Sequence, residues 1–546
     1  MSSKIAHYLQ EHLVGEVLTS TDVRKYFSTD SSVFTIMPQL VVYPQGENDV
    51  RKTARFTWQL AERGRVIPIT ARGLGSDKSG ASIGGGIMMV FPAHMNRIVE
   101  LNGKSGTVVV EPGLNFGKLQ QTLHTHGRFL PPFPPSLESS TIGGAVANNT
   151  GGEKSLKYGT TLKYVKELRV VLANGEVIET KRINKRELSK KLGLSTFEGE
   201  IYRGLDTLIE ENQELLTKIN LEVTNSNAGY NLTDIKRKDG SFDLTPLFVG
   251  SQGTLGIVTE VVLNTEPHNP STTLIAAFVD DPKIAEEAIL EIRKLDESPS
   301  AIEMIDSQFL DFLEANNPNQ LKDLINKPFP RLVLLIEFDN NSQRVQKRLA
   351  KKAVKILEHN EIAYKMEEEE AQKERFWKLR QSVVSVIAQT TGRAKPVPII
   401  EDGIVPPERF QEYLTGLYNL LESYKFKAPI WGHGGTANFY LQPLLDLSQV
   451  GDRQKVFRLA DDYYRLVISL GGSTCGQYND GRLRAPYLPE LYGAEVYELF
   501  QKVKQIFDPY DTLNPGVKIN VTQDSVKPLL RHEYSTQHLY DHLPSL

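Results

Sequence analysis

Cysteine is almost missing from this chain: Cys475 is the one thiol in 546 residues. That excludes an internal disulfide and any cysteine-built zinc or iron-sulfur site, and it suits a reducing compartment. Excess charge is missing as well. Lysine and arginine total 63 against 67 acidic residues, a net charge of -4, so no broad basic field is available for nucleic acid or an anionic membrane. A small-molecule partner is the better expectation. Long hydrophobic runs are absent too: nothing approaches the ~20 apolar residues that span a bilayer, and the nearest candidates are short strand-like runs such as 332–336. The opening stretch MSSKIAHYLQEHLVGEV carries charge throughout and lacks the apolar centre of a signal peptide, which leads us to expect a cytoplasmic protein, with peripheral membrane contact left open.

What is present is glycine in clusters, 41 residues in all, within a chain that is 40% hydrophobic and 24% charged. Such a composition supports large packed cores, and the length calls for two or more domains. The first third alternates short apolar runs, glycine-rich turns and amphipathic segments, an α+β pattern. Residues 66–70 read as a strand entering a turn, and 107–111 as another. Phe116, Leu119 and Leu123 share a helical face that Gly127 would terminate. Residues 165–172 and 177 onward read as a hairpin, closed by Asn174-Gly175 with positive φ at both. Helical character follows over 181–217, and strand character returns over 248–263. A boundary is expected near 267–270. Beyond it, the order strand 274–279, helix 285–295, strand 302–305, strand 332–338, helix 345–359, strand 362–366 predicts a split βαβ unit. The expected division is 1–269, 270–470, 471–522 as a C-terminal return, and a tail over 523–546.

Three glycine clusters are the places where chemistry could sit. Arg72-Gly73-Leu74-Gly75-Ser76-Asp77-Lys78-Ser79-Gly80 follows a strand, where the backbone can curl so that successive N–H groups face one anion; an ordinary tight turn is the alternative. It has neither the Gly-Lys-Ser/Thr ending of a Walker A loop nor the nicotinamide glycine spacing. Thr141-Ile142-Gly143-Gly144-Ala145-Val146-Ala147-Asn148-Asn149-Thr150-Gly151-Gly152 would let either a flat ligand or another backbone approach. Gly250-Ser251-Gln252-Gly253-Thr254-Leu255-Gly256-Ile257-Val258 leads into a strand.

In this order the three clusters resemble the flavin-binding domain of the vanillyl-alcohol oxidase superfamily, nearest to FAD-linked D-lactate dehydrogenases, glycolate oxidase subunits and D-2-hydroxyglutarate dehydrogenases. Pro131-Pro132-Phe133-Pro134, Lys157-Tyr158-Gly159, Trp377-Lys378-Leu379-Arg380 and Asp508-Pro509…Leu513-Asn514-Pro515-Gly516 extend the likeness over roughly 30–520. It implies an α+β fold: a two-part FAD-binding domain, of the kind called PCMH-type, a ferredoxin-like substrate (cap) domain and a C-terminal helical return. It also implies a cofactor site built from Arg72, Gly73, Leu74, Gly75, Ser76, Asp77 and Gly80; from Pro134, Ser136, Thr141, Gly143, Gly144, Asn149, Gly151 and Gly152; and from Gly253, Thr254, Gly256, Ile257 and Asn514. Some relatives tether the flavin through a histidine in the first loop, where this chain has Gly75-Ser76-Asp77, so noncovalent FAD is expected. Where relatives carry Gly-Ser-Glu-Gly-Thr, Gln252 removes a charge but keeps a hydrogen-bonding side chain.

The substrate half departs from those relatives. Their Gly-His-x-Gly-Asp-Gly-Asn-x-His stretch, which supplies two metal-binding histidines, reads Gly432-His433-Gly434-Gly435-Thr436-Ala437-Asn438-Phe439-Tyr440 here. Their Gly-Glu-His-Gly reads Gly476-Gln477-Tyr478-Asn479. One imidazole, one amide and two phenols make a poor divalent site, so no catalytic metal is expected. Tyr478, with His433, is the expected acceptor of the hydroxyl proton, provided that Arg482, Arg484 or Arg380 lowers its pKa; filling of the emptied metal pocket is the alternative. Arg380 is expected to hold a substrate carboxylate, against a surface pairing with Glu374, and Lys395 is a weaker second cation. The reading is an oxidoreductase of small D-2-hydroxy acids that passes electrons to a quinone, cytochrome, electron-transfer flavoprotein or iron-sulfur partner. A flavoenzyme acting on another alcohol or sugar, and a non-catalytic electron-relay subunit, are the alternatives. Cys475 reads as a packed residue, and His538 and His542 as part of a solvated tail.

Overall fold

A computed structural model describes residues 2–388 and 392–540; His542 lies outside them. Two sheets build the first half. In the smaller one Leu40–Tyr43, Ile87–Val90 and Ile69–Arg72 run parallel, with Glu16–Leu18 antiparallel on the edge. Leu40–Tyr43 and Ile87–Val90 are apolar throughout because the helix Glu47–Ala61 and the second sheet cover this sheet. The larger sheet is antiparallel in the order Ile98–Asn102, Thr107–Val110, Ile257–Asn264, Val165–Val171, Val177–Thr180. Ile257–Asn264 alternates buried and half-buried residues up to its exposed last position, since one face carries the core. The helix Phe116–Thr125 forms as its spacing predicts and ends at Gly127, φ +65°. In the hairpin after Val171 only Gly175 takes positive φ, +85°. Asn174 instead accepts a hydrogen bond from the Glu176 N–H through its side chain, so one left-handed residue suffices.

The cap sheet has six antiparallel strands, ordered Ala363–Glu367, Thr273–Val279, Leu332–Phe338, Ala301–Asp306, Trp431–His433, Asn438–Tyr440. The first four, interleaved with the helices Pro282–Arg293 and Gln343–His359, are the expected ferredoxin-like unit. The last two strands come from the glycine-rich segment, and this addition carries His433 and Tyr440 into the sheet. Leu332, Leu334 and Ile336 pack into one core, Val333 and Leu335 into another. A strand buried on both faces is the reason this run is continuously apolar. The second of these cores contains residues of the helices Glu370–Gln381 and Val383–Ala388, while the first reaches Val33, Phe34 and Ile83 of the first half.

The chain then returns. Ala494–Phe507 packs on Phe197–Glu211, and the turn after it is fixed by Asp508, which accepts from the Thr512 and Leu513 N–H groups at 2.9 and 2.6 Å. Leu513-Asn514 lies alongside Ile69 as an added edge. The tail beyond 523 does not stay in solvent as expected: Arg531 and Leu539 are buried against the first half. No described helix is long and apolar enough to cross a membrane.

Candidate active site

Strand Ile69–Arg72 delivers Arg72 to the head of the first glycine loop. Its Nη1 donates to the Thr29 and Ser82 carbonyls at 2.8 and 3.2 Å, while Nε and Nη2 are buried without a partner. Gly75, φ +82°, folds directly over this guanidinium, and a Cβ there would lie 2.3 Å from Nη2; only glycine takes that conformation at no cost in that space. Asp77 closes the loop by accepting from the Ser79 and Ala81 N–H groups at 3.0 and 2.8 Å. Burial, with Asp30 nearby, pushes its carboxyl pKa up.

The second cluster forms the short helix Ile142–Asn148, capped by Thr141, whose Oγ1 accepts from the Gly144 N–H at 3.1 Å. Ser136 and Ser140 hydrogen-bond one another at 3.1 Å, and Ser140 meets Ser76 of the first loop at 3.3 Å. The third cluster is tied to both. Gln252 donates to Asn148 Oδ1 at 2.8 Å and accepts from the Gly481 N–H at 2.8 Å; its carbonyl accepts from Asn514 Nδ2 at 2.8 Å. The amide therefore performs bonds in both directions, which a carboxylate could not.

One cavity of about 960 Å³ runs between the clusters and on under the cap. Of the expected cofactor residues, Arg72, Gly73, Leu74, Gly75, Ser76 and Asp77 line it, as do Pro134, Ser136, Thr141, Gly143 and Gly144, and then Gly253, Gly256 and Ile257. Gly80, Asn149, Gly151, Gly152, Thr254 and Asn514 stand behind its wall. Asn149 bonds Asn227, Thr254 bonds Tyr230, and Asn514 links Ala81 to Gln252. Gly151 is needed for approach, because a Cβ there would lie 1.5 Å from Gln477 Oε1. The unpaired Arg72 nitrogens and the glycine-faced walls suit an elongated diphosphate dinucleotide. No histidine or cysteine is among the described lining residues.

Under the cap the cavity is lined by Arg380, Gln381, Lys395, Trp431, Tyr440, Gln442 and Tyr478. Arg380 does not pair with Glu374, which instead meets Lys378. Its Nη2 lies 2.7 Å from Glu303 Oε2, and Glu303 Oε1 lies 2.8 Å from His433 Nδ1. All three groups are buried, and Arg380 Nε has no partner. Glu153, whose Oε2 accepts from Gln381 at 3.3 Å, has its pKa pushed up by burial and by Glu303. Lys78 meets Glu401 at 2.9 Å, and Gln442 donates to the same carboxylate.

No arginine brings the Tyr478 phenol down overall: the charge of Arg484 pulls its pKa down, but burial prevails. Arg482 donates to the Gly80 and Pro515 carbonyls, Arg484 donates to Asn479 and Tyr464, and Arg380 is ion-paired with Glu303. The cation over the ring is Lys78, 5.9 Å from its centroid. Burial outweighs it, and the phenol is pushed up to about 12, which keeps Tyr478 protonated at neutral pH. Tyr440 is likewise raised by burial and donates to Asn438 Oδ1 at 2.7 Å. His433 sits behind Tyr440, edge-on to its ring at 5.6 Å, and does not line the cavity. Cys475 is buried, and its thiol pKa is raised.

Residues 38–181 match a FAD binding domain, and 268–517 match the C-terminal domain of FAD linked oxidases. The chain carries a FAD binding domain and a C-terminal domain of the FAD linked oxidase type. FAD is the cofactor whose diphosphate the Arg72 loop suits. The chain is 30% identical to D-2-hydroxyglutarate dehydrogenase of Escherichia coli over 93% of its length and 50% of that protein's; it spans about half the length of the first such relatives. It is 27% identical to glycolate oxidase subunit GlcD of Bacillus subtilis, covering 90% of this chain and 92% of that one. Against D-lactate dehydrogenase of Anaerostipes hadrus the identity is 25%, over 92% and 94% of the two chains. Among solved structures, the 4-ethylphenol oxidase of Gulosibacter chungangensis superposes with a TM-score of 0.66 at 14% identity over 96% and 98% of the chains. An alkyldihydroxyacetonephosphate synthase gives 0.63 at 16% identity over 94% and 85%. These structures establish the shared fold expected from the superfamily resemblance.

Glu303, Glu153, Glu401 and Lys78 were not singled out from sequence. Lys78 stood inside a flagged loop. The glutamates carry no motif, and Glu303 is conspicuous only as a charge between apolar neighbours in its strand.

Proposed function

We propose that this chain dehydrogenates a small D-2-hydroxy acid of the D-lactate type, without a divalent metal, and passes the electrons to a separate acceptor. The observation that carries this reading is the single cavity that joins the glycine cradle to Arg380. FAD, when bound, supplies the hydride acceptor at flavin N5. Arg380 holds the substrate carboxylate through its unpaired Nε, while Glu303 fixes the other side of the guanidinium. His433 braces Glu303 from behind and is a positioning residue. Tyr478 offers a protonated hydroxyl, so its role is hydrogen-bond donation to the substrate oxygen rather than proton abstraction.

Relatives named for hydroxyglutarate, glycolate and lactate, all 2-hydroxy acids, support the substrate class. The metal-free reading rests on the donor set. His433 supplies a single imidazole, the two phenols hold their protons, and Gln477 is neutral; among the described residues no group of three or more His, Cys, Asp or Glu is arranged for an ion. Anaerobic mixing with D- and L-lactate, glycolate, D-2-hydroxyglutarate and simple alcohols tests this. Flavin bleaching by a D-2-hydroxy acid that survives chelator is expected. No bleaching by any of them would make the chain an electron-relay subunit, and bleaching abolished by chelator would restore a metal.

A further inference from the structure

The matched C-terminal domain ends at residue 517, yet the following residues turn back over the cofactor half. Residues 529–531 run antiparallel to 33–35: the Thr35 N–H donates to the Leu529 carbonyl at 2.8 Å and the Arg531 N–H to the Val33 carbonyl at 2.9 Å. The buried Arg531 guanidinium donates to the carbonyls of Phe34 at 2.9 Å, Ser535 at 3.1 Å and Asp30. It also lies 5.5 Å from the Tyr534 ring centroid. The Tyr534 hydroxyl donates to the Ser31 carbonyl at 2.8 Å. Further on, the His538 imidazole is 2.9 Å from the Thr29 hydroxyl, and its carbonyl accepts from Tyr26 at 2.9 Å.

The segment held in this way is the one that supports the first glycine loop. Thr29 receives Arg72, and the Ser31 N–H donates to the Gly75 carbonyl at 3.0 Å. Residues 533–537 then become part of the cavity wall on the side of that loop. Between the anchors, His532, Glu533, Ser535 and Gln537 are exposed, so the span has few apolar contacts of its own and can open without global unfolding.

We propose that residues 529–540 are a cofactor strap, which fastens residues 29–35 against the Arg72–Gly75 loop and covers that end of the cleft, so that FAD leaves only when the strap peels away. The proposal rests on FAD being the resident cofactor. The test uses the full chain carrying Tyr534→Phe, Tyr534→Ala or Arg531→Ala, and a chain ending at Leu530. Flavin release into flavin-free buffer is followed by the rise of free-flavin fluorescence, and Tm is measured with and without FAD. Release is expected to quicken about threefold for Tyr534→Phe and about tenfold or more for Arg531→Ala and the shortened chain, with Tm falling further in the loaded protein than in the flavin-free one. Release within twofold of the parent for both tyrosine variants, or an equal fall of Tm with and without FAD, overturns the strap; if Arg531→Ala or the shortened chain does not fold, the tyrosine variants decide. A parent chain that retains no FAD is detected before any variant is made, and it refutes the cofactor assignment rather than the strap.

Discussion

The two ends of the cavity are built on opposite principles. At the cofactor end the wall is backbone: glycine loops, a capped short helix, and side chains such as Gln252 and Asn514 that tie one loop to the next. At the substrate end it is charge: Arg380, Glu303 and His433 in one buried row, Lys78 and Glu401 in another, and phenols pushed upward by burial. A backbone site depends on conformation and tolerates changes of charge, as Gln252 illustrates. A buried-charge site depends on every partner, because one left alone bears the full cost of desolvation.

Substitutions should separate the two ends. The largest effect is expected from Arg380→Met, which removes the carboxylate anchor and leaves Glu303 with His433 alone. Flavin reduction by the best substrate, as kcat/KM in stopped flow, should fall about a thousandfold (~4 kcal/mol), with FAD affinity unchanged. A fall below tenfold would show that Arg380 does not bind the substrate. Next is Gly75→Ala at the other end, where a Cβ must displace Arg72 and adopt positive φ. FAD affinity, measured by fluorescence quenching, should drop roughly ten- to a hundredfold (~1–3 kcal/mol). Substrate affinity of the residual loaded enzyme should stay intact.

Tyr478→Phe is expected to slow flavin reduction about tenfold, the loss of one hydrogen bond to a developing charge, without shifting the pH profile. If the variant instead loses the limb on which the rate climbs with pH, the phenol is the base after all. A separate effect concerns stability. Asp306 caps the helix Ser307–Asn316, and burial raises its carboxyl from the usual 3.8 to about 7. Between those values the folded carboxyl is protonated and the unfolded one is not, so stability should fall as pH rises from 4 to 7, by up to ~1.4 kcal/mol per unit from this group. Asp306→Asn should remove that slope in urea unfolding; an unchanged slope would mean the carboxyl is not raised.

Legibility in the sequence follows the same division. Gly73, Gly75, Gly143, Gly144 and Gly256 could be read because a loop pressed against a ligand or a guanidinium excludes side chains, and exclusion leaves glycine in the text. The four ferredoxin-like strands and their helices could be read because burial on one or both faces imposes a period. Glu303, Glu153 and Glu401 could not: each acts through partners far along the chain, and a single carboxylate in a strand has no spacing to betray it. The tail was misread because its composition is polar, whereas Arg531 and Tyr534 are satisfied by carbonyls at Asp30, Ser31 and Phe34 that composition does not reveal.

By itself, then, the sequence determined a flavin cradle and an α+β cap, since local backbone demands and burial periodicity are written residue by residue. Only the tertiary structure decided that Glu303 binds both Arg380 and His433, that Tyr478 keeps its proton, and that the tail closes on the cofactor half. These outcomes depend on which distant groups meet in a space from which water is excluded, where pairing and desolvation set the charge.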